Sequence, residues 1–203
     1  SADIKVISCL LGYIATPPNE FKNLALDNTL ISSLAKDEER PIFRPRMEKF
    51  YWRNMENIYK VFARPGLQEF LDFLFANFNV SVWTAASKSY ALFIIDEFIL
   101  KNHPERKLEY ILFSYHCKKS KKFRKSQKSL DILKKEFGLY DFDMSNTIII
   151  DDHPEVYSTQ PGNCLPVKPF EFTDRRSYDD DELLSVVKPT LSKILRDGKI
   201  SRM

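Results

Sequence analysis

Two hydrophobic periods alternate along this chain. In LQEFLDFLFANF, residues 67–78, Leu67, Phe70, Leu71, Leu74 and Phe78 recur at helical spacing, and Pro65 and Gly66 sit where a helix would begin. The next six residues, NVSVWT (79–84), lack that period and read as a buried strand. A helical stretch over 88–100 and a short strand over 110–114 follow. KSLDILKKEFG, residues 128–138, is amphipathic and stops at Gly138, a residue suited to a helix end. NTIIIDD, residues 146–152, is a β-branched run bounded by polar groups, the signature of a central strand buried on both faces. Helices alternating with such strands predict the α/β class: a Rossmann-like parallel sheet flanked by helices.

Residues 32–64 are rich in charge and aromatics and show no clean period. They suit a cap or hairpin insert after the first strand, which the pattern expects to lead into Asp27, Asn28 and Thr29. The domain is therefore expected over 21–203, with 1–20 as an N-terminal extension. Near the end, DDDELLSVVKPTLSKIL is helical in pattern, with Pro189 predicting a kink or two short helices.

At 203 residues the chain fits the length of one domain, and 43% hydrophobic residues with 16 Phe and 9 Tyr are ample for its core. A net charge of +3 does not by itself point to nucleic acid. Cys9, Cys117 and Cys164, with His103, His116 and His153, form no zinc-type spacing, and an odd cysteine count suits a reduced intracellular setting, nuclear or cytoplasmic. The longest apolar run, 91–100, is broken by Asp96 and Glu97 and falls short of the ~20 residues of a membrane span. The first residues lack the basic leader of a signal peptide, and no membrane partner is expected.

In open parallel sheets, ligands bind beyond the carboxyl ends of the strands. Asp27 and Thr29, then Thr84, then Asp151 and Asp152 stand at such ends, and Lys128 precedes the last strand. Carboxylates, a hydroxyl and a lysine are what Mg²⁺-dependent phosphoryl transfer needs. Mg²⁺ takes hard oxygen ligands, while the lysine and hydroxyl neutralise and hold phosphate oxygens.

The order LDNTL, RPG…EFL…VWTAA…YA, KSLDIL and TIIIDDHPEVYSTQPGNCLPVKPF, from about Phe21 to Leu195, resembles the haloacid dehalogenase superfamily. Within it, the chain is similar to the CTD-phosphatase (NLI-interacting-factor-like) family. FSYHC followed by a long basic stretch is similar to forms encoded by large DNA viruses. The resemblance implies a Mg²⁺-dependent protein serine/threonine phosphatase acting on phosphopeptides through an aspartyl phosphate, with the RNA polymerase II tail repeats among the candidate substrates.

The family's first loop has the form D-x-D-x-T. Aligned without a gap, Ala25 takes the nucleophile place, Asp27 the general acid/base place and Thr29 the threonine place. A second alignment makes Asp27 the nucleophile, with two residues missing after it and the acid/base carboxylate absent. Both leave one carboxylate where the family has two, so a nearly inactive chain is expected, whether an engineered substrate trap or a natural pseudophosphatase. The gapless version is preferred because Leu30 and Ile31 keep their spacing. The resemblance further implies that Thr29, Thr84 and Lys128 bind phosphate and that Asp151 and Asp152 orient the lysine and, with Asp27, hold Mg²⁺. Ser114 stands where several cellular members carry an arginine, which puts their substrate preference in doubt here.

Blander readings stand beside these. Alone, Thr84 would cap a helix, and a carboxylate pair after a strand is often a turn. Trp83 and Tyr90 read as core aromatics, His153 as a loop residue, and the cysteines as small buried hydrophobes. KKSKKFRKSQK, residues 118–128, has seven basic residues in eleven. Such a block is commonly solvated and mobile; functionally it would be a rim attracting an acidic phosphopeptide or, less favourably, nucleic acid. Two rival functions remain open: a phosphopeptide-binding pseudophosphatase scaffold and a phosphatase for nucleic-acid ends.

Overall fold

A computed structural model describes residues 4–9, 29–198 and 200. In chain order the strands are β1 (Lys5–Cys9), β2 (Ile31–Ala35), β3 (Trp52–Met55), β4 (Tyr59–Ala63), β5 (Asn79–Trp83), β6 (Leu108–Leu112), β7 (Thr147–Asp151) and β8 (Cys164–Pro166). The helices are α1 (Arg44–Met47), α2 (Leu67–Asn77), α3 (Lys88–Ile94), α4 (Ser114–Arg124), α5 (Asp131–Lys135), α6 (Pro154–Thr159) and α7 (Lys188–Asp197). A π-helical segment, Ile95–Leu100, continues α3, and another, Leu183–Val187, leads into α7.

Five strands pair in parallel in the order β6-β5-β1-β7-β8. Alternation of side chains along each strand divides the core in two. Val6, Val80, Val82, Ile148 and Ile150 pack with Phe70 and Leu71 of α2, Tyr90 and Ile94 of α3, and Leu191 of α7. Ile7, Trp83, Ile149 and Cys164 pack on the other face with Cys117 of α4, Leu133 of α5 and Val156 of α6. All five residues of β7 are buried, as its unbroken apolar run required. Each isoleucine there contributes about 1.5–3 kcal/mol by leaving water.

The expected parallel α/β sheet is thus present. Its central strand is β1, which lies within residues 1–20, the stretch expected to precede the domain. The strand expected to lead into Asp27 lies outside the described residues.

Residues 31–63 form a second, antiparallel sheet in the order β2-β4-β3, the small insert expected beside the main sheet. Its core of Leu34, Met47, Phe62 and Phe172 fastens the later chain to the insert. The Phe62 and Phe172 rings stack with centroids 3.7 Å apart.

Three local expectations shift. The helix expected over 128–138 shrinks to α5, and the Ser129 and Leu130 N–H groups just ahead of it donate to the Ser120 hydroxyl and the Gln160 carboxamide. Much of the basic block is helical in α4 rather than a mobile run, with Cys117 and Ser120 buried. Pro189 does not split the segment into two separate helices: the chain stays helical through it, with the π-helical Leu183–Val187 passing directly into α7 just ahead of the proline. Among the described residues, no helix is long and apolar enough to cross a membrane.

Candidate functional site

β7 delivers Asp151 and Asp152 to the carboxyl edge of the sheet. The Lys128 Nζ donates to Asp151 Oδ2 at 2.8 Å, and the His153 N–H donates to Asp151 Oδ1 at 2.7 Å. The side chains of this pair are 2% and 0% exposed, so each charge depends on the other in a medium that screens weakly. Asp152 is held differently. Its Oδ1 accepts the Thr29 hydroxyl at 2.7 Å, while its buried Oδ2 meets no hydrogen-bond donor among the described residues. Burial raises the Asp152 carboxyl above its ordinary value, the Asp151 charge adds to that rise, and the Thr29 and Lys128 contacts oppose it.

The supports around these groups are also polar and buried. Gln160 Nε2 donates to the Lys128 carbonyl at 2.7 Å, and Gln160 Oε1 accepts the Leu130 N–H at 3.0 Å. The Ser120 hydroxyl donates to the Ser126 carbonyl at 2.6 Å and accepts the Ser129 N–H at 2.8 Å. Lys128 therefore sits in a turn pinned on both sides. Arg64, 1% exposed, donates to the Thr29 carbonyl at 2.9 Å and grips Asp180 with two bonds of 2.8 and 2.9 Å. Sequence reasoning passed over Arg64, Gln160 and Ser120. Arg64 stands directly before Pro65-Gly66 and Gln160 within STQPGN, so the motifs held them without revealing their bonds.

Thr29, Lys128, Asp151 and Asp152 are thus joined through two short side-chain contacts. Thr84 follows β5 on the same edge, separated from β7 by β1. Its buried hydroxyl accepts the Ala86 N–H at 3.0 Å in a local turn, while the cap of α3 expected of it falls to Ser87, whose hydroxyl accepts the Tyr90 N–H. Ala25 and Asp27 lie outside the described residues. An orphaned carboxylate oxygen beside a second carboxylate is a donor set suited to a hard divalent cation, which would supply the positive charge that Asp152 Oδ2 lacks.

Cys117 lies beside the site, its Sγ 3.6 Å from the Thr84 carbonyl oxygen. Burial pushes its thiol up to about 11 and that of Cys164 up to about 12. Neither supplies a thiolate nucleophile near neutral pH. Iodoacetamide at pH 7.5 should leave both unmodified in the native protein and label both in urea; mass spectrometry of the two peptides checks this, and rapid native labelling would contradict the packing.

The profile of the NLI interacting factor-like phosphatases matches residues 24–201. The chain belongs to that family. It is 48% identical over 166 residues to the putative CTD phosphatase-like protein 355R of Invertebrate iridescent virus 6, covering 79% of this chain and 91% of that protein. Its identity to the protein of the same description in Invertebrate iridescent virus 3 is 42% over 174 residues, covering 81% and 91%. The resemblance read from the motifs to NLI-interacting-factor-like phosphatases, viral forms included, is borne out. Among solved structures, Fcp1, an essential RNA polymerase II CTD phosphatase, superposes with a TM-score of 0.53 at 16% identity over 97% of this chain. The chain spans 49% of that structure's length, and the likeness shows the α/β fold alone. In this member of the family, β1 lies ahead of the segment that the profile matches.

Proposed function

We propose that this chain binds a phosphoserine or phosphothreonine segment of a protein at the carboxyl edge of the main sheet and is nearly inactive as a hydrolase because Ala25 stands at the nucleophile place. The observation that supports this reading best is the buried Lys128–Asp151 pair beside the half-satisfied Asp152. A lysine held by one carboxylate, next to a second with one oxygen that lacks a donor, is poised for phosphate and cation together.

In this reading Asp151 fixes the Lys128 ammonium at the carboxyl edge of the sheet, where its charge would neutralise phosphoryl oxygens. Asp152 Oδ2, with Asp27, would hold Mg²⁺, which when bound neutralises phosphate charge and polarises the phosphorus–oxygen bonds. Thr29 orients Asp152, and Thr84 contributes to phosphate binding. Asp27 would protonate the leaving alcohol. With alanine at position 25 no bond to phosphorus forms, and the substrate remains bound. The RNA polymerase II tail repeats are one candidate substrate.

Cation binding gives the direct test. Because the folded chain holds the Asp152 proton more tightly than the unfolded chain, metal-free stability falls as pH rises from the ordinary carboxylate range through the raised value, then levels off. Asp152→Asn removes that cost, so in EDTA at pH 7.5 it should melt no lower than the parent. Mg²⁺ at about a hundred times its Kd should add ~2.7 kcal/mol to the parent, roughly 5–10 °C for a domain of this size, and little to the variant. The parent's shift should shrink as pH falls toward the raised Asp152 value. Equal shifts in both proteins would remove Asp152 from the cation site.

Alanine at position 25 also favours a second reading, a pseudophosphatase scaffold. In that case phosphopeptide binding measured by calorimetry should survive chelation. In the first reading it should weaken.

A further inference from the structure

The polar face of α4 carries a charge excess that the fold does not answer. Lys118, Lys121 and Lys122 recur at spacings that place them along one stripe, and Lys125 caps the helix just beyond it; all four are exposed, with the half-buried Lys119 beside them. Among the described residues none of the five pairs with a carboxylate. Arg124 does, through Asp131 at 2.7 Å and Glu136 at 3.5 Å, so the local acids are spent on it. Like charges three and four residues apart cost a helix roughly 0.2–0.5 kcal/mol per pair. Favourable interaction with the helix carboxyl end reaches only the last turn and does not account for Lys118. An anion along the stripe would relieve the repulsion.

The stripe flanks the candidate site. α4 begins where the Ser114 N–H donates to the Ala86 carbonyl at 2.9 Å, and one turn later Cys117 meets the Thr84 carbonyl. Its second buried residue, Ser120, holds the turn that carries Lys128. The buried side of α4 is thus fastened to the residues proposed to hold phosphate, and the opposite side presents the lysines. Phe123 and Tyr115 are also exposed, with the Lys122 and Lys119 ammonium groups 5.6 Å from their ring centres.

We propose that α4 is the docking surface for a phosphoprotein segment that carries further phosphates or carboxylates within a few residues of the phosphorylated one, so that the chain selects clustered over isolated phosphorylation. The seven residue steps from Lys118 to Lys125, the residue that caps α4, span about 10 Å, the reach of about three extended peptide residues. Two or three extra anionic groups match that length. The inference deepens the phosphopeptide reading above and rests on it.

The test is fluorescence anisotropy with the full chain and two labelled peptides in about 0.1 M salt, where the screening length is still ~10 Å. One peptide has a single phosphoserine among neutral residues, and the other has three additional phosphoserines nearby. The clustered peptide should bind at least about tenfold more tightly, which asks about 0.5 kcal/mol of each of three lysines. Added salt should erode this preference. The triple variant Lys118→Gln, Lys121→Gln, Lys122→Gln should bring the two affinities within about twofold, and glutamine retains helix propensity. A preference that persists in a folded triple variant overturns the proposal. So does tighter binding of a single-stranded oligonucleotide of equal charge, which would identify nucleic acid as the partner. If the single phosphopeptide binds and the cluster adds nothing, this inference falls and the phosphopeptide reading stands. If neither binds, both fall. Should the triple variant not fold, the parent's peptide preference and its salt dependence decide.

Discussion

Ala25→Asp should raise turnover of p-nitrophenyl phosphate from background by a factor on the order of 10⁴ or more, the scale on which an essential nucleophile acts. The restored carboxylate would form a bond to phosphorus while the leaving oxygen departs with a proton from Asp27. Water, deprotonated by the same Asp27, would then hydrolyse the aspartyl phosphate and regenerate both groups. The supports for this step are already present: Lys128 is held by Asp151, and Thr29 anchors Asp152. The expected result is Mg²⁺-dependent release of p-nitrophenolate, abolished again by Asp27→Asn. A variant that folds and melts like the parent yet shows no gain would end the gapless alignment and, with it, the assignment of Ala25.

Lys128→Met should destabilise the chain by about 3–5 kcal/mol, since it leaves the buried Asp151 carboxylate without its cation. Asp151→Asn should also destabilise the chain, by removing the carboxylate that the Lys128 ammonium meets at 2.8 Å. The double variant should lose much less than the sum, because the charge penalty disappears when both charges do. Urea unfolding followed by circular dichroism measures all three. Single losses below about 1 kcal/mol that simply add would mean that water reaches the pair and that Lys128 is not locked to β7.

The parts of the fold most legible in advance were those with a strong local period. α2 follows from Leu67, Phe70, Leu71 and Leu74, and β7 from the three isoleucines ahead of Asp151, because a buried face must repeat with the geometry of its element. Parts of the site were legible for a different reason. Asp151 and Asp152 stand directly after a readable strand, so their place at the sheet's carboxyl edge followed from the strand. Lys128 was harder to single out, since six other basic residues precede it between Lys118 and Lys125 and no local period marks it; its place ahead of the last strand made it a candidate, and the resemblance gave its role. The bonds of Arg64 to Thr29 and Asp180 were invisible, because a paired arginine and a solvated one look alike in a chain.

The sequence by itself determined the class of the fold, the carboxyl edge that gathers the charged groups, and the kinship with phosphatases, each written in contiguous residues. Only the tertiary structure decided that Lys5–Cys9 lies between β5 and β7, that Asp152 keeps an oxygen without a donor, and that Thr29 reaches Asp152 across 123 positions. The physical reason is range. A hydrophobic period records that a segment is buried but not which neighbours bury it, and a charge declares its partner only when distant chain is brought within hydrogen-bonding distance.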